Sequence, residues 1–388
     1  MCGIAEVMME RTAPRDPVAA PAVIEDRLHD CTDRHPSCTH HQSAAWREIA
    51  ALPDAVLGAA RALAGWQLPP GLRRAARLQV VACASSFPAA AMARATIERA
   101  AGIPVDLASA SAFRRRAPAL PLRTALVLVS RPDEETDTRA IMQIAVARGL
   151  PMIGIGDMPG QANGSTAATG WPVLGGPSFT SEAHGLMRLG IALGEADGRG
   201  DAAFREELAW GLATVPVVLA AAISREAQLR LIAGRLAAAD EVLFIGRGGG
   251  AALAQAGALE LAQRAGLHAE GLAADGLQRL PAGHLRKGAP VILCAPSDEN
   301  LPVTLADARA LRSRGIHVSM LTDSDGAAAA RAVAEETLVL PGAGVAGCFA
   351  IAAALQLLAA QAAEALGFDA SRPRPFVHTN VAEWAPAA

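Results

Sequence analysis

Glu241-Val242-Leu243-Phe244-Ile245-Gly246-Arg247-Gly248-Gly249-Gly250 is the stretch on which the fold turns. Glu241 to Ile245 reads as a buried strand, because branched and aromatic residues follow one another without a polar break. The glycines end it, and from about Ala251 to Ala265 a run rich in alanine and leucine reads as a helix. Downstream the alternation continues. Val291 to Cys294 is a second strand, ended by Ala295-Pro296-Ser297, and a helix from about Leu301 to Arg314 leads to the strand His317 to Leu321.

The same order occurs upstream. Leu78 to Cys83 is a strand ended by Ala84-Ser85-Ser86, and an alanine-rich helix runs on to Ala101, where Gly102 and Pro104 stop it. Val105 to Leu107 starts another strand, and Ala125 to Val129 is a third, ended by Ser130-Arg131-Pro132-Asp133. A helix from Thr136 to Arg148 precedes the strand Met152 to Ile155. Strands that alternate with helices of this length imply parallel sheets covered on both faces. Two copies imply two doubly wound α/β domains, with ligands beyond the carboxyl ends of the strands.

This divides the chain into an extension over 1–43, a lead-in helix over 44–75, a first domain over 76–200 and a connecting helix over 201–230. A second domain over 231–368 and a tail over 369–388 complete it. At 388 residues there is enough chain for a core in each domain, and 52% hydrophobic residues exclude a disordered polymer. A net charge of −3 gives no general pull towards nucleic acid or an anionic membrane. Residues Ala343 to Ala360 are the most apolar stretch, but alanine, glycine and Gln356 suit a buried helix better than a span of ~20 strongly apolar residues. Scattered cysteines and an N-terminus carrying Glu6 and Glu10 suit reduced thiols in a cytoplasm.

The loops after the strands carry the chemistry. Ser85, Ser86 and Ser130 supply hydroxyls, and Arg131 and Arg247 supply fixed positive charge beside backbone N–H groups at helix starts. Gly246 to Ala251 also fits G-x-G-x-x-A, with Glu270 where a ribose-binding acid would lie, so a nicotinamide-dependent oxidoreductase is an alternative. The plainer alternative is a glycine turn that only permits tight strand-to-helix packing.

Gly246-Arg247-Gly248, Gln255 to Gln263 and Gly266-Leu267-His268-Ala269-Glu270 resemble the second domain of double sugar-isomerase (SIS) proteins. These include the isomerase half of glutamine–fructose-6-phosphate aminotransferase and related aminosugar-phosphate deaminase/isomerases. Cys83-Ala84-Ser85-Ser86, Ala101-Gly102-Ile103-Pro104-Val105 and Ala112-Phe113-Arg114 are similar to the family's first domain. Phe368-Asp369 and Arg372-Pro373-Arg374 are similar to its tail. The resemblance implies two tandem SIS domains binding a sugar phosphate, an aminosugar phosphate or a related polar carbohydrate derivative, without cofactor or metal. It also implies a homodimer, because a partner's segment, here Glu270 to Leu285, completes the site. Ligand residues on this basis are Ser85, Ser86, Ser130, Arg131, Arg247, Gly248 and Glu270.

The resemblance fails where the family does its chemistry. The family loop Ser-Gln-Ser-Gly-Glu-Thr, which holds the sugar phosphate, is here Ser130-Arg131-Pro132-Asp133-Glu134-Glu135. Its proton-transferring glutamate corresponds to Gln263, its ring-opening histidine to Arg279, and its tail lysine to His378; Ala256, Glu260 and Ala262 replace further charged residues. Glutamine is no general base, and arginine does not shuttle protons at neutral pH. Glu260 and His378 are the candidates for replacement acid/base groups; the bland reading is a solvated helix glutamate and a surface histidine. A non-catalytic, sugar-responsive binding protein is the other reading of such a site. At the N-terminus, Met1-Cys2-Gly3-Ile4 matches the start of class II amidotransferases without room for that domain. Cys31, His35, Cys38, His40 and His41 have donor spacings but lack a second ligand pair at a zinc-finger distance, and read as a polar arm rather than a metal site.

Overall fold

The structure, a computed structural model, describes residues 43–62, 66–83, 85–116, 118–131, 135–156, 178–275 and 289–372. Helices α1 (Ala44–Ala50), α2 (Leu52–Ala62) and the short α3 (Pro70–Arg73) lead in. The expected single lead-in helix is broken, because Pro53 lacks the N–H that would reach the Ile49 carbonyl.

The first sheet contains β1 (Arg77–Ala82), β2 (Val105–Ser109), β3 (Thr124–Ser130) and β4 (Met152–Gly156). Its order is β2-β1-β3-β4, and all pairs are parallel. Between the strands run α4 (Phe87–Ala101), α5 (Ala110–Arg116) and α6 (Glu135–Ala147). Three helices follow: α7 (Phe179–Asp197), α8 (Ala202–Ile223) and α9 (Glu226–Ala237). The connecting segment is thus two helices, parted at the exposed pair Ser224-Arg225. The second sheet contains β5 (Glu241–Gly246), β6 (His268–Ala273), β7 (Pro290–Ala295), β8 (His317–Thr322) and β9 (Glu336–Val339). Its order is β6-β5-β7-β8-β9, again parallel throughout. Helices α10 (Gly249–Ala265), α11 (Leu301–Ser313), α12 (Ala327–Arg331) and α13 (Gly344–Ala365) cover it.

Central strands β3 and β7 are buried along their whole length, which is why they read as unbroken apolar runs. Helices α4 and α10 end alike. Gly102 and Gly266 both take φ +65°, and their N–H groups reach back to the Glu98 and Ala262 carbonyls.

The two sheets share one core. Ile97 of α4 and Leu186 of α7 belong to the same apolar cluster as Leu253 of α10 and Phe349 of α13. Full burial of each such side chain contributes roughly 1.5–3 kcal/mol. Helices α8 and α13 are both long and apolar enough to cross a membrane, but 89% of the α13 window is buried inside the fold. That makes the Ala343–Ala360 stretch a core helix, as its composition suggests.

Candidate functional site

Each sheet order reverses once, between β1 and β3 and between β5 and β7, so each domain opens a crevice at the carboxyl ends of those strands. The first crevice is lined by the β1–α4 loop and by the residue after β3. Ser86 caps α4, and the Ser86 and Phe87 N–H groups both donate to the Cys83 carbonyl, which makes the loop tight. The Ser86 hydroxyl donates to Glu182 Oε1 at 3.0 Å. Arg131 donates from Nε to that same oxygen at 3.1 Å, and its Nη2 lies 3.5 Å from the Ser85 carbonyl. Ser130 is turned to Thr138, with the two hydroxyl oxygens 2.5 Å apart. The structure therefore brings Ser85, Ser86, Ser130 and Arg131 together.

Glu182 was not visible as a site residue. It sits in the first turn of α7, where a carboxylate also suits the helix dipole, and it is wholly buried. The signal was an acid and a histidine in the otherwise small and apolar run from Phe179 to Met187. His184, the histidine, is buried against Phe349 with ring centroids 6.3 Å apart. Burial, reinforced by the Arg188 charge, pushes its pKa down to about 3, while a hydrogen bond with the Leu212 backbone pulls weakly the other way. Its Nδ1 has no hydrogen-bond partner among the described residues.

Beside the first crevice, an open groove of about 350 Å³ runs along Phe87, Pro88, Ser109, Gln255 and Leu259. It joins the start of α4 in the first domain to α10 in the second. Its lining is mostly apolar, as suits the C–H face of a small polar molecule more than its charge.

The second crevice has the same plan and different contents. Arg247 follows β5 as Arg131 follows β3. Its Nε and Nη2 donate to Asp307 at 2.7 and 3.2 Å, and its Nη1 donates to Asp275 at 2.6 Å. The hydrogen bond to Asp307, and the charges of both acids, raise its pKa further and hold it protonated. Gly246 must be glycine here, since a Cβ would meet the Gly250 carbonyl oxygen at 2.1 Å. Gly248 takes φ +51°, and a Cβ there would lie 2.7 Å from Asn300 Nδ2. Asp298, bonded to Asn300, has its pKa raised by burial. Asp323 accepts both N–H and O–H of Ser297, a structural staple between the loops after β7 and β8.

The residues singled out on α10 lie elsewhere. Glu260 accepts from Arg264 at 2.8 Å, and Arg264 also reaches Glu48 at 3.2 Å and the Ala370 carbonyl at 3.2 Å. Glu260 is thus part of an ion-pair cluster tying α10 to α1. Gln263 is half-buried one turn along, and Glu270 is exposed on the edge strand β6, paired with Leu243. Arg279, His378, residues 132–134 and the Cys31–His41 arm lie outside the described residues. Among the described residues no cluster of His, Cys, Asp or Glu could hold a metal ion. Cys83 and Cys294 are buried and in no disulfide, and burial pushes the thiol of Cys348 up to about 12.

Known proteins share this architecture. The C-terminal domain of glucosamine-fructose-6-phosphate aminotransferase from Francisella tularensis superposes with a TM-score of 0.73 at 20% identity, over 88% of this chain and 100% of that one. Tagatose-6-phosphate ketose/aldose isomerase from Escherichia coli does so with a TM-score of 0.68 at 14% identity, over 89% and 99% of the two chains. In sequence, glutamine–fructose-6-phosphate aminotransferase (isomerizing) of Caulobacter vibrioides is 32% identical over 77% of this chain and 51% of its own length. The same enzyme of Bradyrhizobium diazoefficiens is 30% identical over 79% and 52%. The chain spans about half the length of these curated relatives. The SIS domain family model matches residues 71–168 and 235–363, one segment on each sheet. Those segments cover more than half of the chain, which belongs to the SIS-domain family.

Proposed function

We infer that this protein binds a polar carbohydrate derivative (a sugar phosphate, an aminosugar phosphate or a related sugar) in the crevice of its first domain, and that it does not interconvert aldose and ketose. One observation carries the second half: Glu260, the carboxylate three residues before Gln263 on α10, is held by Arg264 in a structural ion pair. Moving a proton between neighbouring carbons needs a carboxylate within hydrogen-bond reach of them, and at the place where SIS isomerases resemble this chain it has Gln263. General acid–base groups contribute on the order of a hundred- to ten-thousandfold each, so their loss takes the rate towards background. The shared core of the two sheets supports a binding role, since ligand in one crevice loads helices that pack on the other domain. The reading includes a homodimer, with a partner segment near Glu270 closing the site, and a cytoplasmic location.

A coupled assay with fructose 6-phosphate or glucosamine 6-phosphate tests it. Turnover below roughly one per second is expected, under the usual enzyme range. Faster turnover that Glu260→Gln removes would refute it and identify Glu260 as the base.

A further inference from the structure

The first crevice already contains an anion, and that anion is the protein's own. Glu182 Oε1 accepts the Ser86 hydroxyl from the end of β1 and the Arg131 guanidinium from the end of β3. These strands are neighbours at the point where the sheet order reverses, so the carboxylate sits where such sheets receive ligands. A hydroxyl and a guanidinium converging on one oxygen is the arrangement that holds a carboxylate or a phosphate oxygen. Side-chain exposure is 19% for Arg131 and 0% for Glu182, so the contact is largely shielded from water.

We propose that Glu182 sets the ligand class of this crevice: by neutralising Arg131 and engaging Ser86, it makes the site take a sugar that carries no phosphate or other anionic group. This rests on the carbohydrate-binding reading above and narrows it. A phosphate entering here gains little from an arginine that is already paired. It also meets a dehydrated carboxylate whose repulsion water does not screen. Displacing Glu182 would break a buried pair and strand its charge, the costly form of rearrangement. Sugar hydroxyls carry no charge and face neither obstacle.

The experiment titrates the full chain, by calorimetry, with inorganic phosphate, with glucose and glucosamine, and with the 6-phosphates of both sugars. Wild type, Glu182→Gln, Arg131→Ala and the double variant are compared. The expected result is that wild type binds an unphosphorylated sugar and ignores every phosphate. Glu182→Gln, which keeps the shape and drops the charge, should bind phosphate at least about tenfold more tightly than wild type, and the double variant should lose that gain. Wild-type binding of phosphate that Arg131→Ala abolishes would overturn the proposal, and this arm does not depend on Glu182→Gln folding. A cooperatively melting Glu182→Gln protein that gains no phosphate binding would overturn it as well. If Glu182→Gln gains phosphate while no variant binds any sugar, the exclusion of anions by Glu182 stands, and the carbohydrate reading falls instead.

Discussion

The two crevices are built to one plan, and each has an arginine directly after a strand, yet their arginines are neutralised in different ways. Arg131 is paired with Glu182, which is wholly buried; Arg247 is paired with Asp307, which is largely buried, and with Asp275, whose side chain is 82% exposed. The same charge pair therefore has different energetics in the two places. Shielded from water, the first pair is costly to break and is held in place. Where water reaches one partner, the pair is weak and exchangeable. The first crevice is closed to anions by the protein's interior, and the second is guarded at its surface.

Removing Glu182 should expose that difference most strongly. Glu182→Ala takes the buried carboxylate away from Arg131 and the Ser86 hydroxyl, and a loss of about 3–5 kcal/mol in denaturant unfolding is expected. A loss under about 1 kcal/mol would mean that the first pair behaves like a surface pair, and the contrast would collapse.

Acid sharpens the comparison by attacking the helix that holds Glu182. His184, two residues along α7, has a folded pKa of about 3 against an unfolded value of 6.5. Between those values the unfolded chain binds the proton and the folded one does not, so stability is full above about pH 6.5 and falls as the pH drops. The expected slope is roughly 1.4 kcal/mol per pH unit from this group. It should be missing from His184→Asn, so that wild type loses stability faster than the variant between about pH 6.5 and pH 3; identical acid profiles would show that His184 takes up its proton without unfolding.

The smallest effect belongs to the second crevice. Asp275→Ala should cost less than about 1 kcal/mol, since Asp275 is solvated and Asp307 still holds Arg247 through two nitrogens. A cost matching that of Glu182→Ala would show that exposure does not separate the two pairs.

The sequence displayed this plan unevenly. Strands β1, β3, β5, β7 and β8 were legible because burial on both faces leaves unbroken apolar runs. The strand nature of β6 and β9 was not: His268–Ala273 mixes exposed and half-buried residues in place of an apolar run, and Glu336–Val339 has only four residues. At the site, Arg131 and Arg247 were visible from their place after a strand. Their partners were not. Glu182 is 51 residues from Arg131 and Asp307 is 60 residues from Arg247, separations that no local pattern spans. Glu260 was read as a spare acid on a helix face, and only the fold shows that Arg264 and Glu48 claim that face.

The contact between the lead-in helix and the end of α13 has a topological consequence. The Ala45 N–H donates to Ser371 Oγ at 3.0 Å, and Arg264 joins Glu48 to the Ala370 carbonyl beside it. The first and last described residues of the fold are therefore neighbours, and the path through both sheets returns to its start. Closing such a path with a short linker costs little entropy. The chain can then be opened elsewhere, with Ser224-Arg225 the natural place because it is exposed and lies between helices. In such a circular permutant the second sheet would be synthesised before the first. The architecture is thus a ring in space, and its numbering from Met1 is only one of the ways to cut it.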